Sequence, residues 1–343
     1  MEVRAKKALG QHFLTDQAVA RRIVDALSIC DTAEPTIPLH PQGTGERIPP
    51  EPPSVASLRK VEDVGRLYGD GVSSPDRLRP RSREWEGPAP SGVGGMSEAK
   101  SGEETLPPEE GGRSVRDVLE IGPGMGVLTQ YLLKREDIDL KAVEVDGESV
   151  AYLLTHFPDV QGKLLQADFL RIDTRKIFPG SYRIIGNFPY NISSQIFFKI
   201  LDDKDRVPEV VCMIQKEVAE RIAEPPGSKT YGILSVLLQA WYDIEYCFSV
   251  GPGAFAPPPK VQSAVIRLRR NTRLSLGCDE KLFKQVVKTA FNQRRKTLRN
   301  ALKPLLKEPG LLPPEAAALL DLRAERLGVE DFILLTKALS APL

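Results

Sequence analysis

Apolar positions along the chain change their spacing several times, and each change marks an element. After Thr15-Asp16, a pair suited to capping, Ala20, Ile23, Val24 and Leu27 recur at helical spacing and predict a helix from about Gln17 to Leu27. Between Asp31 and Arg113 the periodicity stops. It resumes with Val115–Ile121, which reads as a buried strand, then a helix over Val127–Lys134 and a second strand over Leu140–Val145. Glu148–Phe157 reads as helix, Lys163–Gln166 and Tyr182–Ile185 as strands, Ser193–Leu201 as helix, Val207–Ile214 as strand and Lys216–Ala223 as helix. Strand patterns return near Ile244–Val250 and Ala264–Leu268. From Glu280 the pattern is helical, broken at Pro304, Pro309 and Pro313-Pro314. Strands alternating with helices predict an α/β fold whose mostly parallel sheet is covered on both faces, followed by a smaller helical domain.

Composition changes this picture in one place. Residues 31–113 hold 13 Pro and 12 Gly and lack apolar periodicity. Such a segment cannot bury enough surface to offset its chain entropy, so it is expected to be a disordered insert that loops out. The chain of 343 residues is long enough for two domains beside it. The expected divisions are an N-terminal segment and helix (1–30), the insert (31–113), a central α/β domain (114–270) and a helical domain (271–343).

The net charge of +1 averages unlike regions. The insert carries 10 Lys+Arg against 15 Asp+Glu, leaving 37 against 31 elsewhere. Lys260–Lys307 holds 14 basic residues and 2 acidic ones, either a face for a polyanion or a solvated helix surface. Cys30, Cys212, Cys247 and Cys278 form no C-x-x-C pair, and His12, His40 and His156 are scattered. No disulfide framework and no metal site are expected. The N-terminus lacks a secretion-signal core and no apolar run reaches membrane-spanning length, so a cytoplasmic protein is expected.

Gly122-Pro123-Gly124-Met125-Gly126 closes the first strand of the α/β region and opens a helix. Glycines there let a ligand approach the backbone, and the helix start offers free N–H groups. The spacing is G-x-G-x-G, not the dinucleotide G-x-G-x-x-G. Glu144 ends the next strand, where a carboxylate can accept both hydroxyls of a ribose. Asp168 follows the third strand and can accept from an adenine amine on which Phe169 packs. Alone, Glu144 could be a solvent carboxylate, Asp168 a turn residue and Asp146 a helix cap. In order after successive strands, the glycine turn, Glu144 and Asp168 point to a nucleoside-bearing cofactor.

Gly186-Asn187-Phe188-Pro189-Tyr190 follows the fourth strand. An adenine amine is a poor nucleophile because its lone pair is delocalised into the ring. Methyl transfer from a sulfonium therefore needs reshaping and aiming of that nitrogen more than a strong base. The Asn187 side-chain oxygen and the Phe188 main-chain oxygen can each accept one N–H. Pro189 rigidifies the turn, and Tyr190 offers a face for an extruded base.

Lys7-Ala-Leu-Gly-Gln-His-Phe-Leu14, Glu120-Ile-Gly-Pro-Gly124, Asn187-Phe-Pro-Tyr-Asn-Ile-Ser193, Gln215-Lys-Glu-Val-Ala219, Phe255-Ala-Pro-Pro-Pro-Lys-Val261 and Phe291-Asn-Gln-Arg-Arg-Lys-Thr297 stand in one order. In them the chain resembles the bacterial small-subunit ribosomal RNA adenine dimethylases, over about residues 3–30 and 114–338. The resemblance implies a Rossmann-like class I S-adenosylmethionine-dependent methyltransferase domain with a small helical C-terminal domain. It implies dimethylation of two adjacent adenines in a hairpin loop near the 3′ end of 16S rRNA, within the assembling 30S subunit. It further implies that His12 and Leu14, with Gln11 beside them, touch the cofactor together with Gly122, Gly124, Glu144, Asp168 and Asn187. The family often has Asn where this chain has His12. Phe255 is expected either to close over the target base opposite Tyr190 or to pack within its own loop. The insert stands where the family has a short connector.

Arg294, Arg295, Lys296, Arg299 and Lys303 are expected on one helix near Lys288, where phosphate contacts would position the RNA and make binding salt-dependent. Three rivals share parts of the pattern: a large-subunit rRNA methylase conferring resistance, a DNA adenine methylase, and a silent assembly factor. The Phe291–Thr297 and Phe255 segments favour the small-subunit enzyme, and the intact Asn187–Tyr190 turn speaks against silence. A monomer is expected.

Overall fold

A seven-stranded sheet organises the described residues, beside a two-stranded one formed with the N-terminal segment. The computed structural model describes residues 6, 12–29, 116–306 and 312–340. Gln11, Cys30, the 31–113 insert and Pro309 lie outside them. In chain order the elements are β1 (Phe13–Leu14), α1 (Gln17–Asp25), β2 (Asp117–Ile121), α2 (Thr129–Leu132), β3 (Asp139–Glu144), α3 (Gly147–His156), β4 (Leu164–Gln166) and β5 (Arg183–Asn187). They continue with α4 (Ser193–Asp202), β6 (Glu209–Gln215), α5 (Lys216–Ala223), α6 (Ile233–Gln239), β7 (Tyr242–Val250), β8 (Phe255–Ala256) and β9 (Ser263–Arg270). The last four are α7 (Glu280–Asn292), α8 (Leu298–Ala301), α9 (Pro314–Leu319) and α10 (Val329–Ser340).

The seven-stranded sheet has the order β4-β3-β2-β5-β6-β9-β7. The pairs among β4, β3, β2, β5 and β6 are parallel, whereas β9 runs antiparallel to both β6 and β7. The α/β class expected from the sequence is the one observed. From β2 the chain crosses to β3 on one side and later returns to β5 on the other. That reversal leaves a crevice at the carboxyl ends of the strands, the usual ligand site of such sheets.

Strand alternation divides the core between the two faces of the sheet. Leu119, Ile184, Val210, Cys212, Ile214 and Ile266 belong to one buried cluster; Val118, Ile185, Val211, Met213 and Val265 belong to the other. Neighbouring residues turn to opposite faces because the side-chain period of a strand is two, and both faces are covered, so Val210–Ile214 of β6 reads as an unbroken apolar run. Helix α1 adds Ala20, Ile23 and Val24 to the second cluster, and Asp16 caps it by accepting from Ala18 and Val19 N–H at 2.9 and 3.1 Å. The first cluster runs on into the C-terminal helices through Phe283, Val287, Leu298 and Phe332.

Helix α6 and the basic region near the C-terminus depart from the sequence reading. Helix α6, in a stretch with no predicted element, is buried almost all round at Leu234–Leu238, so no polar face marks its period. The basic residues near the C-terminus do not share one helix. α7 ends at Asn292; Thr297, bridged to Arg323, is extended, and Leu298 and Arg299 N–H donate to Leu322 and Leu320 carbonyls at 2.8 and 2.7 Å. Those cross-chain bonds interrupt the helix between Asn292 and Leu298.

One buried ion pair ties the N-terminal segment to the sheet. Arg183 and Glu209, each 3% exposed, lie 3.3 Å apart, and Glu209 also accepts from the Ser28 hydroxyl at 2.9 Å and the Ser28 N–H at 3.2 Å. Among the described residues Cys212, Cys247 and Cys278 are free thiols, no cluster of His, Cys, Asp and Glu could hold a metal, and no helix is long and apolar enough to cross a membrane.

Candidate active site

A cavity of about 320 Å³ opens at the carboxyl ends of β2, β3, β4 and β5. Its walls include His12, Leu14, Gly122, Gly124, Glu144, Asp168, Phe169, Asn187, Phe188, Pro189 and Tyr190. All the described residues expected at the cofactor and the catalytic turn therefore meet in one place, apart from Phe255.

The floor is the glycine turn. Gly122, Gly124 and Gly126 have φ of 68°, 54° and 77°, a region that costs an L-residue strain. At Gly126 a Cβ would also lie 2.4 Å from the Phe157 ring. Gly186, just before Asn187, serves by lacking bulk: a Cβ there would come within 2.5 Å of the Ile121 carbonyl oxygen, so only glycine lets β5 press on the end of β2.

Glu144 is 4% exposed and accepts from three main-chain N–H groups, Gly124 at 3.0 Å, Val145 at 2.8 Å and Asp146 at 2.9 Å. Burial pushes its carboxyl above the ordinary range and these bonds oppose the rise. A carboxylate has about four acceptor positions, so roughly one is left for a ligand hydroxyl until Gly124 or a neighbour yields. Asp168 accepts from Leu170 N–H at 2.9 Å and faces Arg171 at 3.4 Å, with 39% of its side chain exposed. Phe169 is buried beside it, with Lys199 Nζ 5.5 Å from its ring centre. Asp146 begins α3, and its carboxylate takes Lys6 at 2.5 Å and the Ser149 hydroxyl at 3.1 Å.

Asn187 ends β5. Its Nδ2 donates to the His12 carbonyl at 3.1 Å, which leaves Oδ1 as an acceptor. Phe188 N–H donates to the Met213 carbonyl at 3.0 Å, and its ring is fully buried against Phe197. The residue thus offers the site its main-chain oxygen. Tyr190 lies over the cavity with its ring stacked on that of His12, centroids 5.4 Å apart at 30°. Burial pushes its phenol up, and the hydrogen bond with Ser263 opposes the shift.

Phe255 requires a correction. β8 pairs with β1, setting Phe255 opposite Leu14, and its ring is 4% exposed within the apolar cluster of Ile23, Val211 and Val265. It packs the loop instead of lining the cavity, because main-chain pairing with the N-terminal segment turns it inward. The basic residues lie apart from the cavity and differ among themselves. Arg294 faces Glu325 at 3.8 Å, Arg299 faces Asp321 at 2.9 Å and Lys288 Nζ sits 4.8 Å from the Phe198 ring centre, while Arg295, Lys296 and Lys303 are exposed.

Glu120, Val145 and Met125 are among the wall residues to which the sequence reading gave no role of their own. Glu120 is a buried carboxyl between Leu119 and Ile121, itself a readable signal; it accepts from the Thr129 hydroxyl at 2.8 Å, and burial pushes it up to about 8. Val145, after Glu144, is an apolar residue 51% exposed at the cavity rim. Met125 lines the turn between two glycines.

The model of the ribosomal RNA adenine dimethylase family matches residues 113–338. The chain belongs to that family. Its members are S-adenosylmethionine-dependent rRNA adenine methyltransferases, and so is this enzyme. It is 62% identical over 219 residues to the ribosomal RNA small subunit methyltransferase A of Parabacteroides distasonis, covering 64% of this chain and 81% of that one. The protein of the same description from Cytophaga hutchinsonii is 56% identical over 228 residues, covering 66% and 87%. Among solved structures, the dimethyladenosine transferase of Plasmodium falciparum shares the fold, with a TM-score of 0.53, 23% identity, and coverage of 64% of this chain and 87% of that one.

Proposed function

We propose that this enzyme dimethylates N6 of two adjacent adenines near the 3′ end of small-subunit rRNA, within the assembling 30S particle in the cytoplasm. The description shared by its relatives supports the small-subunit substrate. The single observation that carries the chemistry is the meeting of the Asn187–Tyr190 turn and the Gly122, Glu144 and Asp168 set in one cavity.

The cavity fits S-adenosylmethionine. Glu144 keeps an acceptor position for a ribose hydroxyl, and Asp168 keeps half-exposed oxygens for an adenine amine. Val145 and Phe169 supply apolar surface for the ring, and a Cβ at Gly122 would meet nothing within 4 Å, so the turn leaves open space there. When bound, S-adenosylmethionine supplies an electrophilic methyl carbon on a sulfonium. His12, Leu14, Gly122, Gly124, Glu144, Asp168, Phe169 and Asn187 would hold it.

The protein's own part is to present the base. Tyr190 stacks the extruded adenine, while Asn187 Oδ1 and the Phe188 carbonyl oxygen accept its two amine hydrogens in the first transfer, and one of them the remaining hydrogen in the second, aiming the nitrogen lone pair. Pro189 keeps the two acceptors in fixed relation. Residues 114–270 perform the transfer, and residues 271–343 grip phosphates through Lys288, Arg295, Lys296 and Lys303. Tritiated S-adenosylmethionine offered with undermethylated 30S particles, naked 16S rRNA, 50S particles or duplex DNA tests this. Label in N6,N6-dimethyladenosine from the 30S sample is the expected result; preferential label in 50S particles or DNA overturns it.

A further inference from the structure

We propose that Ser263 is a positioning residue for methyl transfer: its hydroxyl holds the Tyr190 ring so that the face not covered by His12 is presented to the target base. The inference rests on the reading of Tyr190 as the platform for that base.

A tyrosine at the mouth of a cavity can swing about two side-chain torsions, and a swinging ring is a poor platform. Tyr190 is held at two points. Its hydroxyl lies 2.5 Å from Ser263 Oγ. Ser263 is fully buried and begins β9, with its backbone in register with Gln215 of β6 and Val250 of β7, so the Oγ is anchored from both sides. The second hold is the His12 ring, stacked on one face. His12 is itself fixed, with Nδ1 3.0 Å from the Pro257 carbonyl oxygen and its own carbonyl oxygen accepting from Asn187.

Pro257 and Ser263 stand at the two ends of the Pro-rich connection between β8 and β9. That connection therefore sets the edge of the Tyr190 ring directly and one face through His12. A ring tethered at its edge and covered on one side offers a single face, oriented before any RNA arrives. Ordering of this kind is completed during folding and need not be supplied when substrate binds. Ser263 lies 73 residues from Tyr190, outside every segment whose sequence points to catalysis.

The test is a double-mutant cycle on the full-length enzyme, using undermethylated 30S particles. Ser263→Ala and Tyr190→Phe remove the same hydrogen bond from opposite ends. Each is expected to lower kcat about tenfold, the size of one lost hydrogen bond, with the Kd for S-adenosylmethionine within about twofold. The double variant is expected to be no slower than either single one. A short hairpin RNA with 2-aminopurine at the target position should show weaker stacking quench with both variants. Additive losses, an unchanged kcat in Ser263→Ala, or a loss that follows cofactor affinity overturns the proposal. Should Ser263→Ala fail to fold, Tyr190→Phe alone decides the matter through kcat and quench. Tyr190→Ala separates the two levels: if it retains full kcat, the platform reading fails, and if it loses kcat while Ser263→Ala does not, only the present inference fails.

Discussion

Asn187 donates its side-chain N–H to the main-chain oxygen of His12 at 3.1 Å, joining residues 175 positions apart. One end of the amide is thereby committed to the N-terminal segment, and the other is the acceptor that the proposed function assigns to the substrate. Asn187→Asp keeps an acceptor but sets a carboxylate oxygen against a carbonyl oxygen, two acceptors with no hydrogen between them. Transfer is expected to fall at least ~100-fold, through loss of a cavity hydrogen bond and misplacement of the turn. Single-turnover transfer and proteolysis near residue 12 check this; a variant with a normal rate and a protected N-terminal segment removes the contact from the mechanism.

Glu120 makes stability depend on pH in a direction that can be worked out. Its carboxyl is pushed up to about 8 from an ordinary 4.5, chiefly by burial, with the Thr129 hydroxyl opposing and Glu144 adding to the rise. Across that window the folded chain holds a proton that the unfolded chain has lost. Stability from this group therefore declines as pH rises from about 4.5 to about 8 and then levels off. Glu120→Gln, nearly the same shape and always neutral, lacks that slope. The melting temperature of Glu120→Gln relative to wild type should climb between pH 5 and 8. A difference that stays constant over that range refutes the assignment.

Glu209 supports the sheet. Removing it takes one carboxylate away from the buried Arg183 guanidinium and releases Ser28 in the N-terminal segment. Glu209→Ala is expected to cost about 3 kcal/mol of unfolding free energy, in line with breaking one side of a buried pair. Urea unfolding measures it, and a cost below about 1 kcal/mol would show that the pair adds little beyond its own desolvation.

The basic residues should divide by their surroundings. Arg295, Lys296 and Lys303 are exposed, whereas Arg294 and Arg299 face Glu325 and Asp321. Alanine at each of the first three is expected to lower the slope of log affinity against log salt by roughly 0.7–0.9. Arg299→Ala should leave that slope nearly unchanged. Filter binding of a 16S rRNA fragment at several salt concentrations decides; equal effects at all five positions would mean that the ion pairs open on binding RNA.

What was legible from sequence alone follows from locality. The alternation of strands and helices, the glycine turn and the order Gly122, Glu144, Asp168, Asn187 rest on residues near one another in the chain, where period, cap and turn preferences act. A parallel sheet built from such units carries the ends of its strands to one crevice, so the residues expected at the cofactor and at the catalytic turn line one cavity, and reading their order needed no long-range contact. Tertiary structure alone decided the rest. The pairing of β1 with β8 turned Phe255 into the core, and the strand ladder on both sides of β9 placed Ser263 under Tyr190. Main-chain bonds to Leu320 and Leu322 broke the expected basic helix. Each of these depends on which distant main-chain group satisfies a given N–H, and side-chain spacing does not encode that choice. Helix α6 belongs with them, since a helix buried almost all round shows no polar face by which its period could be read.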